Sequence, residues 1–117
     1  MPKSGSIYKI VPQASWRAAE HGGVFSGAPI DLADGFIHFS AAHQVRETAA
    51  KHFKSQEDLL LVAVDSDLLG SALRWEPSRG GDLFPHLYAP LDPKNVLWVR
   101  PLRLGPGGLH DFGSLVP

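Results

Sequence analysis

Leu59-Leu60-Leu61-Val62-Ala63-Val64 is an unbroken apolar run of strand length, closed by Asp65-Ser66-Asp67. A strand with one wet face needs apolar side chains only at every second position; one that is apolar throughout is covered on both faces and belongs inside a sheet. Working outward toward the C-terminus, Ala72-Leu73-Arg74-Trp75-Glu76 alternates with period two and stops at Pro77, and Ser78-Arg79-Gly80-Gly81-Asp82 is a polar turn. Leu83 to Tyr88 offers a further short strand, which Pro85 confines to an edge, and Asn95 to Leu104 carries the last one, interrupted at Pro101. No helical pattern separates these later strands, so the crossovers that a parallel, doubly wound sheet requires are missing. The fold class that follows is α+β, a small single domain with short early helices and a mostly antiparallel sheet.

Toward the N-terminus, Ile7-Tyr8-Lys9-Ile10-Val11 reads as a strand closed by Pro12, and Gln13 to His21, with Trp16, Ala18 and Ala19, reads as a short helix stopped by Gly22-Gly23. Val24 to Asp34 reads as a loop, and Gly35 releases the chain into one strand, Phe36-Ile37-His38-Phe39-Ser40. Ala42, Val45, Ala49 and Phe53 then form a helical stripe from which Gln44, Glu47, Lys51 and Lys54 fall away. The domain is expected over residues 6–104. Residues 105–117, with four Gly and two Pro, are expected as a loose tail.

Composition narrows the function classes. The 117 residues are 44% hydrophobic and 20% charged, the balance of one globular domain rather than of a disordered chain. The absence of cysteine removes disulfides, thiolate nucleophiles, zinc fingers and iron–sulfur clusters together. A net charge of −1 supplies no global field for nucleic acid or anionic lipid. No stretch is long and apolar enough to span a bilayer, and no secretory leader is visible, so a cytoplasmic protein with no membrane partner is expected. His-Glu-x-x-His and His-x-His pairs are absent, which leaves no metal site to be named.

Strand alternation tests whether polar groups collect on one side. It sets His38 with Ser40, Arg74 with Glu76, and His86 with Tyr88, each pair backed by apolar neighbours. Converging, these faces would build a cleft with two imidazoles, a guanidinium, a carboxylate, a hydroxyl and a phenol. Each residue also has a plainer role. Ser40 stands where a helix cap would stand, His38 and His86 could be packed histidines, Arg74 and Glu76 could pair with each other, and mid-strand Lys9 reads as a solvent-facing or snorkelling lysine. Arg74 and Arg79 ahead of Gly80-Gly81 form a weak anion clamp, with bidentate guanidinium forks beside a backbone that a phosphate can approach closely.

Taken in order, Ile7-Tyr8-Lys9-Ile10, Trp16, Asp34-Gly35-Phe36-Ile37-His38-Phe39-Ser40 with Gln44-Val45, Leu73-Arg74-Trp75-Glu76 and Phe84-Pro85-His86-Leu87-Tyr88 with Pro90-Leu91 resemble a bacterial domain-of-unknown-function family, DUF952, over about residues 7 to 104. That family is similar in fold to the ADP-ribosyltransferase and RNA 2′-phosphotransferase group. The resemblance implies a split, mostly antiparallel α+β domain, NAD as the cofactor to expect, and a small anion or nucleotide as partner. It implies catalytic roles for His38, Glu76 and His86, and ligand contacts from Lys9, Ser40, Arg74, Arg79 and Tyr88. Lys9 stands where the wider group places a histidine or arginine, a departure that weakens the NAD reading. An NAD- or nucleotide-using transferase therefore stands beside two alternatives, a non-catalytic module for a small anionic metabolite and an interaction protein with no pocket.

Overall fold

The computed structural model describes residues 5–78 and 80–117. In chain order the elements are β1 (Ser6–Pro12), α1 (Gln13–Gly22), α2 (Pro29–Asp34), β2 (Ile37–His38), β3 (Ser40–Ala41), α3 (Val45–His52), β4 (Leu59–Asp65), β5 (Leu73–Ser78), β6 (Asp82–Leu87), β7 (Trp98–Leu104) and β8 (His110–Asp111). Among the described residues eight strands divide into two sheets, one ordered β3-β1-β4-β7-β8 and one ordered β2-β6-β5. Every pairing among them is antiparallel. The result is a small α+β domain with a split sheet.

The apolar run takes the central position expected of it. β4 lies between β1 and β7, and six of its seven residues are buried. Its two faces build two cores. Leu60, Val62 and Val64 face Ile7 and Val11 of β1, Trp16 of α1, and Ile37 and Leu87 of the smaller sheet. Leu59, Leu61 and Ala63 face Tyr8 and Ile10, Val45 and Ala49 of α3, and Leu102, Phe112 and Val116.

Four sequence expectations need correction. Residues 24–34 are not all loop, because α2 forms at their end: Pro29 sets the first helical φ, the Asp31 carboxylate accepts from the Ala28 N–H at 2.7 Å, and Gly35 ends the helix in the left-handed region at φ 85°. Residues 36–40 are not one strand. The chain leaves the small sheet after His38, passes Phe39, and enters the large sheet at Ser40, so β2 pairs β6 while β3 pairs β1.

Pro85 does not mark an edge, since β6 is the middle strand of its sheet. The Pro85 carbonyl accepts from Phe39 N–H at 3.0 Å. N and O of one residue point to the same side of a strand, so the missing N–H faces Phe39, which already lies outside β2, and Pro85 keeps its tie to that side through its carbonyl. The segment 105–117 is docked rather than loose. β8 pairs β7, the Val116 carbonyl accepts from Arg46 Nη2 at 3.0 Å, and the Arg46 guanidinium lies 5.3 Å from the Phe112 ring centre. Gly and Pro there mark irregular backbone, not exposure.

Phe112→Ala is expected to lower the unfolding free energy by about 3 kcal/mol, the usual cost of emptying a buried aromatic site. Urea denaturation reads it directly, and an unchanged midpoint would restore the loose tail.

Candidate functional site

β1 turns Ile7, Lys9 and Val11 toward the small sheet and Tyr8 and Ile10 toward α3. Lys9 is therefore an interior lysine, 6% exposed, not a solvent-facing one. Its counter-charge is Asp31, which sequence reasoning left inside a loop. Asp31 is 1% exposed and saturated with donors. Lys9 Nζ lies 3.0 Å from Oδ2 and 3.2 Å from Oδ1. His38 Nδ1 lies 2.6 Å from Oδ1, the His38 backbone N–H donates to the same oxygen at 3.1 Å, and Ala28 N–H holds Oδ2. Lys9 Nζ also donates to the His38 carbonyl at 3.1 Å.

Burial alone would raise the Asp31 pKa, but the bond from His38, the charge of Lys9 and the two backbone N–H donors outweigh it and bring the group down to about 2. An ionised Asp31 only accepts, so the His38 Nδ1 carries a proton and the ring is fixed in place. His38 Nε2 points the other way and lies 3.0 Å from Asp34 Oδ2. Both contacts are hydrogen bonds only when both ring nitrogens carry protons. The close approach of α2 also depends on Gly27, at φ 124°, where an added Cβ would come within 2.7 Å of the Asp31 Cβ.

His38 borders a cavity of about 490 Å³, within the size range of small-molecule sites. The cavity lies where β3 stops. β3 pairs Ile7 and Tyr8 of β1, and α2 and α3 frame the opening beyond that pairing. Lys9, Asp34, His38, Ser40, Thr48, His52 and Ser78 supply polar lining; Tyr8, Ile10, Ile30, Phe39 and Phe53 supply apolar wall. Ser40 is not a helix cap. Thr48 gives its proton to the Gln44 carbonyl at 3.2 Å, so Ser40 Oγ, 3.0 Å from Thr48 Oγ1, is the donor between the two hydroxyls. Gln44 ties α3 to the small sheet by donating to Leu83 O at 2.7 Å and Asp82 Oδ2 at 2.9 Å, and that bond leads the contacts holding the Asp82 carboxyl below its usual range.

The second group of expected residues also assembles, beside the cavity rather than in it. Register sets His38 opposite His86 and His86 opposite Arg74, all on one face of the small sheet. The two imidazole ring centres are 5.5 Å apart. Glu76 Oε1 accepts from Tyr88 Oη at 2.7 Å and from His86 Nδ1 at 2.8 Å. These bonds, Tyr88 first, hold the Glu76 carboxyl below its ordinary range, and the same bond pushes the Tyr88 phenol up. Arg74 does not spend its guanidinium on Glu76 but lies over the Tyr88 ring at 4.7 Å. His86 is 4% exposed, stacked under Phe36 at 4.1 Å. None of Arg74, Glu76, His86 and Tyr88 lines the cavity. Arg79 lies outside the described residues. Among the described residues no three His, Cys, Asp or Glu side chains are placed to share a metal ion, and no helix is long and apolar enough to cross a membrane.

Comparison with known proteins agrees with this architecture. A family model described as a protein of unknown function (DUF952) matches residues 10–99. The crystal structure of protein CC0527 from Caulobacter crescentus is 49% identical, with a TM-score of 0.91, covering 95% of this chain and 97% of that one. The solution structure of CC0527 is also 49% identical, with a TM-score of 0.86 and coverage of 95% and 96%. No functionally curated protein matches.

Because the Asp31 pKa is depressed from 3.8 to about 2, its contribution to stability is full above pH 4 and is lost as pH falls through that interval. A decline of about 2 kcal/mol between pH 4 and pH 2 is expected from this group, measured by denaturant unfolding at stepped pH. Lys9→Met, which strands the buried carboxylate, is expected to cost about 3 kcal/mol at neutral pH.

Proposed function

We propose that this chain, which belongs to the DUF952 family, is an enzyme that handles a nucleotide-type ligand, NAD foremost, in the cleft bordered by β1, α2 and α3. The observation that supports this most is the Asp31–His38 pair. A buried carboxylate that holds Nδ1–H fixes the ring and leaves Nε2, 3.0 Å from Asp34 Oδ2, as the nitrogen that gains or gives up a proton; in the form without a proton on Nε2 it is the acceptor. His38 is the group in the cleft that takes or gives the proton. Ser40 and Thr48 orient ligand hydroxyls, and Lys9 serves through Asp31 as a positioning residue rather than as a ligand contact.

With NAD the reaction is transfer of the ADP-ribosyl group. The bond between the ribose carbon and nicotinamide breaks, nicotinamide departs with the electron pair, and a nucleophile oxygen bonds to that carbon while His38 accepts its proton. The ADP-ribosyltransferase-like assignment rests on the sequence resemblance and on the split antiparallel sheets. Glu76 and His86 act from behind: Glu76 holds the His86 ring, which is stacked under Phe36, and so supports the wall that His38 leans on. Arg74 and Tyr88, at the open side of that wall, and Arg79 are the positions left to meet phosphate.

A non-catalytic module for a small anionic metabolite is the second reading. The half-exposed Arg74–Tyr88 pair favours it, because a guanidinium held over a ring keeps its outer edge available to an anion.

Isothermal titration with NAD, ADP-ribose and mononucleotides at millimolar concentration is expected to give heat, and free nicotinamide is expected to accumulate with NAD. His38→Gln is expected to slow that release about 100-fold or more while leaving the binding heat. Heat without nicotinamide release supports the binding module; no heat from any ligand overturns both readings.

A further inference from the structure

His38 Nε2 and Asp34 Oδ2 stand 3.0 Å apart, and both residues line the cavity. The other ring nitrogen, Nδ1, is committed to Asp31, so the imidazole cannot turn away without stripping a donor from a buried carboxylate. What passes between Nε2 and Oδ2 therefore depends on one proton. With a proton on Nε2 the ring donates to Asp34 and the pair is satisfied. The proton-accepting role of His38 needs the other form, in which Nε2 offers only a lone pair. A carboxylate accepts and does not donate, so two acceptors then face each other across 3.0 Å with no proton between them. Such a pair calls for two donors side by side, and a ligand with one hydroxyl leaves one acceptor unmatched. Asp34 is open to a ligand: it is the last residue of α2, and its side chain is 44% exposed. The lining around the pair suits the rest of such a ligand, with aromatic surface from Tyr8, Phe39 and Phe53 and hydroxyls from Ser40 and Thr48.

We propose that His38 and Asp34 together recognise a cis-diol, the two neighbouring hydroxyls of a ribose-type ring, one donating to Nε2 and the other to the Asp34 carboxylate. The inference rests on the cleft being the ligand site and on His38 being its base, and it names the group that these two residues hold. Hydroxyls on the same side of a five-membered ring project side by side, as the two acceptors lie; hydroxyls on opposite sides diverge, and only one of them meets its acceptor. The diol belongs either to NAD or to the alcohol that receives the ADP-ribosyl group. In the second case the hydroxyl on Nε2 is the nucleophile. Its proton passes to Nε2, its oxygen bonds to the ribose carbon, and nicotinamide leaves with the electron pair of the broken bond.

Three nucleosides with one base test this: adenosine carries the cis-diol, its 2′-epimer arabinosyladenine a trans-diol, and 2′-deoxyadenosine a single hydroxyl of that pair. Each is titrated at millimolar concentration into the full chain, with amide chemical shifts as readout. Adenosine is expected to bind about tenfold more tightly than either analogue, the effect of one hydrogen bond to a charged acceptor, with shifts at Asp34, His38 and Phe53. Asp34→Asn keeps the side-chain shape and gives Nε2 a donor of its own; it is expected to bring adenosine down to the level of 2′-deoxyadenosine, whose own binding is unchanged. Equal affinity for the three nucleosides, no shift at Asp34 and His38 with adenosine, or a preference for adenosine that survives Asp34→Asn each overturns the inference. Adenosine added to NAD and the protein assigns the diol, since faster nicotinamide release puts it on the receiving alcohol and slower release puts it on NAD. Nicotinamide release without discrimination among the nucleosides removes this inference and leaves the enzymatic reading; discrimination without release does the reverse.

Discussion

One buried carboxylate organises the functional half of this molecule. Asp31 accepts from a lysine on β1, from the ring and backbone of His38, and from the N–H that opens its own helix. An isolated charge at that depth would be several kcal/mol out of balance, so the four groups have to be present together. That requirement links a strand of the large sheet, a two-residue strand of the small sheet and a six-residue helix too short to be stable alone. The helix sits where it does because its third residue is needed inside.

The two sheets are joined by more than contact. Residues 37–41 contribute two residues to each, with Phe39 buried between them and bonded to Pro85. The large sheet is thus stitched to the middle strand of the small one, and Gln44 repeats the stitch by reaching from the start of α3 to Leu83 and Asp82. Brevity of β3 has a second effect. The strand covers Ile7 and Tyr8, and the cavity begins beyond that pairing, lined by Tyr8, Lys9 and Ile10 of β1.

Much of this was legible in the residues. The six-residue apolar run located the central strand, and alternation paired Arg74 with Glu76 and His86 with Tyr88 within their strands; the register between strands is what brings those pairs and His38 to one face. Alternation reports a face, not a depth, and so it could not tell that His86 is sealed beneath Phe36 while His38 reaches the cavity. Asp31 was missed for a different reason. Ser26, Gly27 and Pro29 read as loop, although Pro29 and Asp31 ahead of Gly35 are the start and stop of a short helix. Lys9 was assigned to solvent because a lysine among apolar residues has no partner within the strand; its partner is 22 positions away. Buried charge pairs are long-range facts, and local patterns do not contain them.

Pro85 has an effect beyond its own strand. An exposed sheet margin is a template on which a neighbouring molecule can add a strand, and β2 forms one margin of the small sheet. There the groups along that side are already taken, the His38 N–H by Asp31, the His38 carbonyl by Lys9 and the Pro85 carbonyl by Phe39, and Pro85 has no N–H to donate. A foreign strand laid along that side finds too few free hydrogen-bonding groups to hold a register, and this margin is a poor template for strand addition.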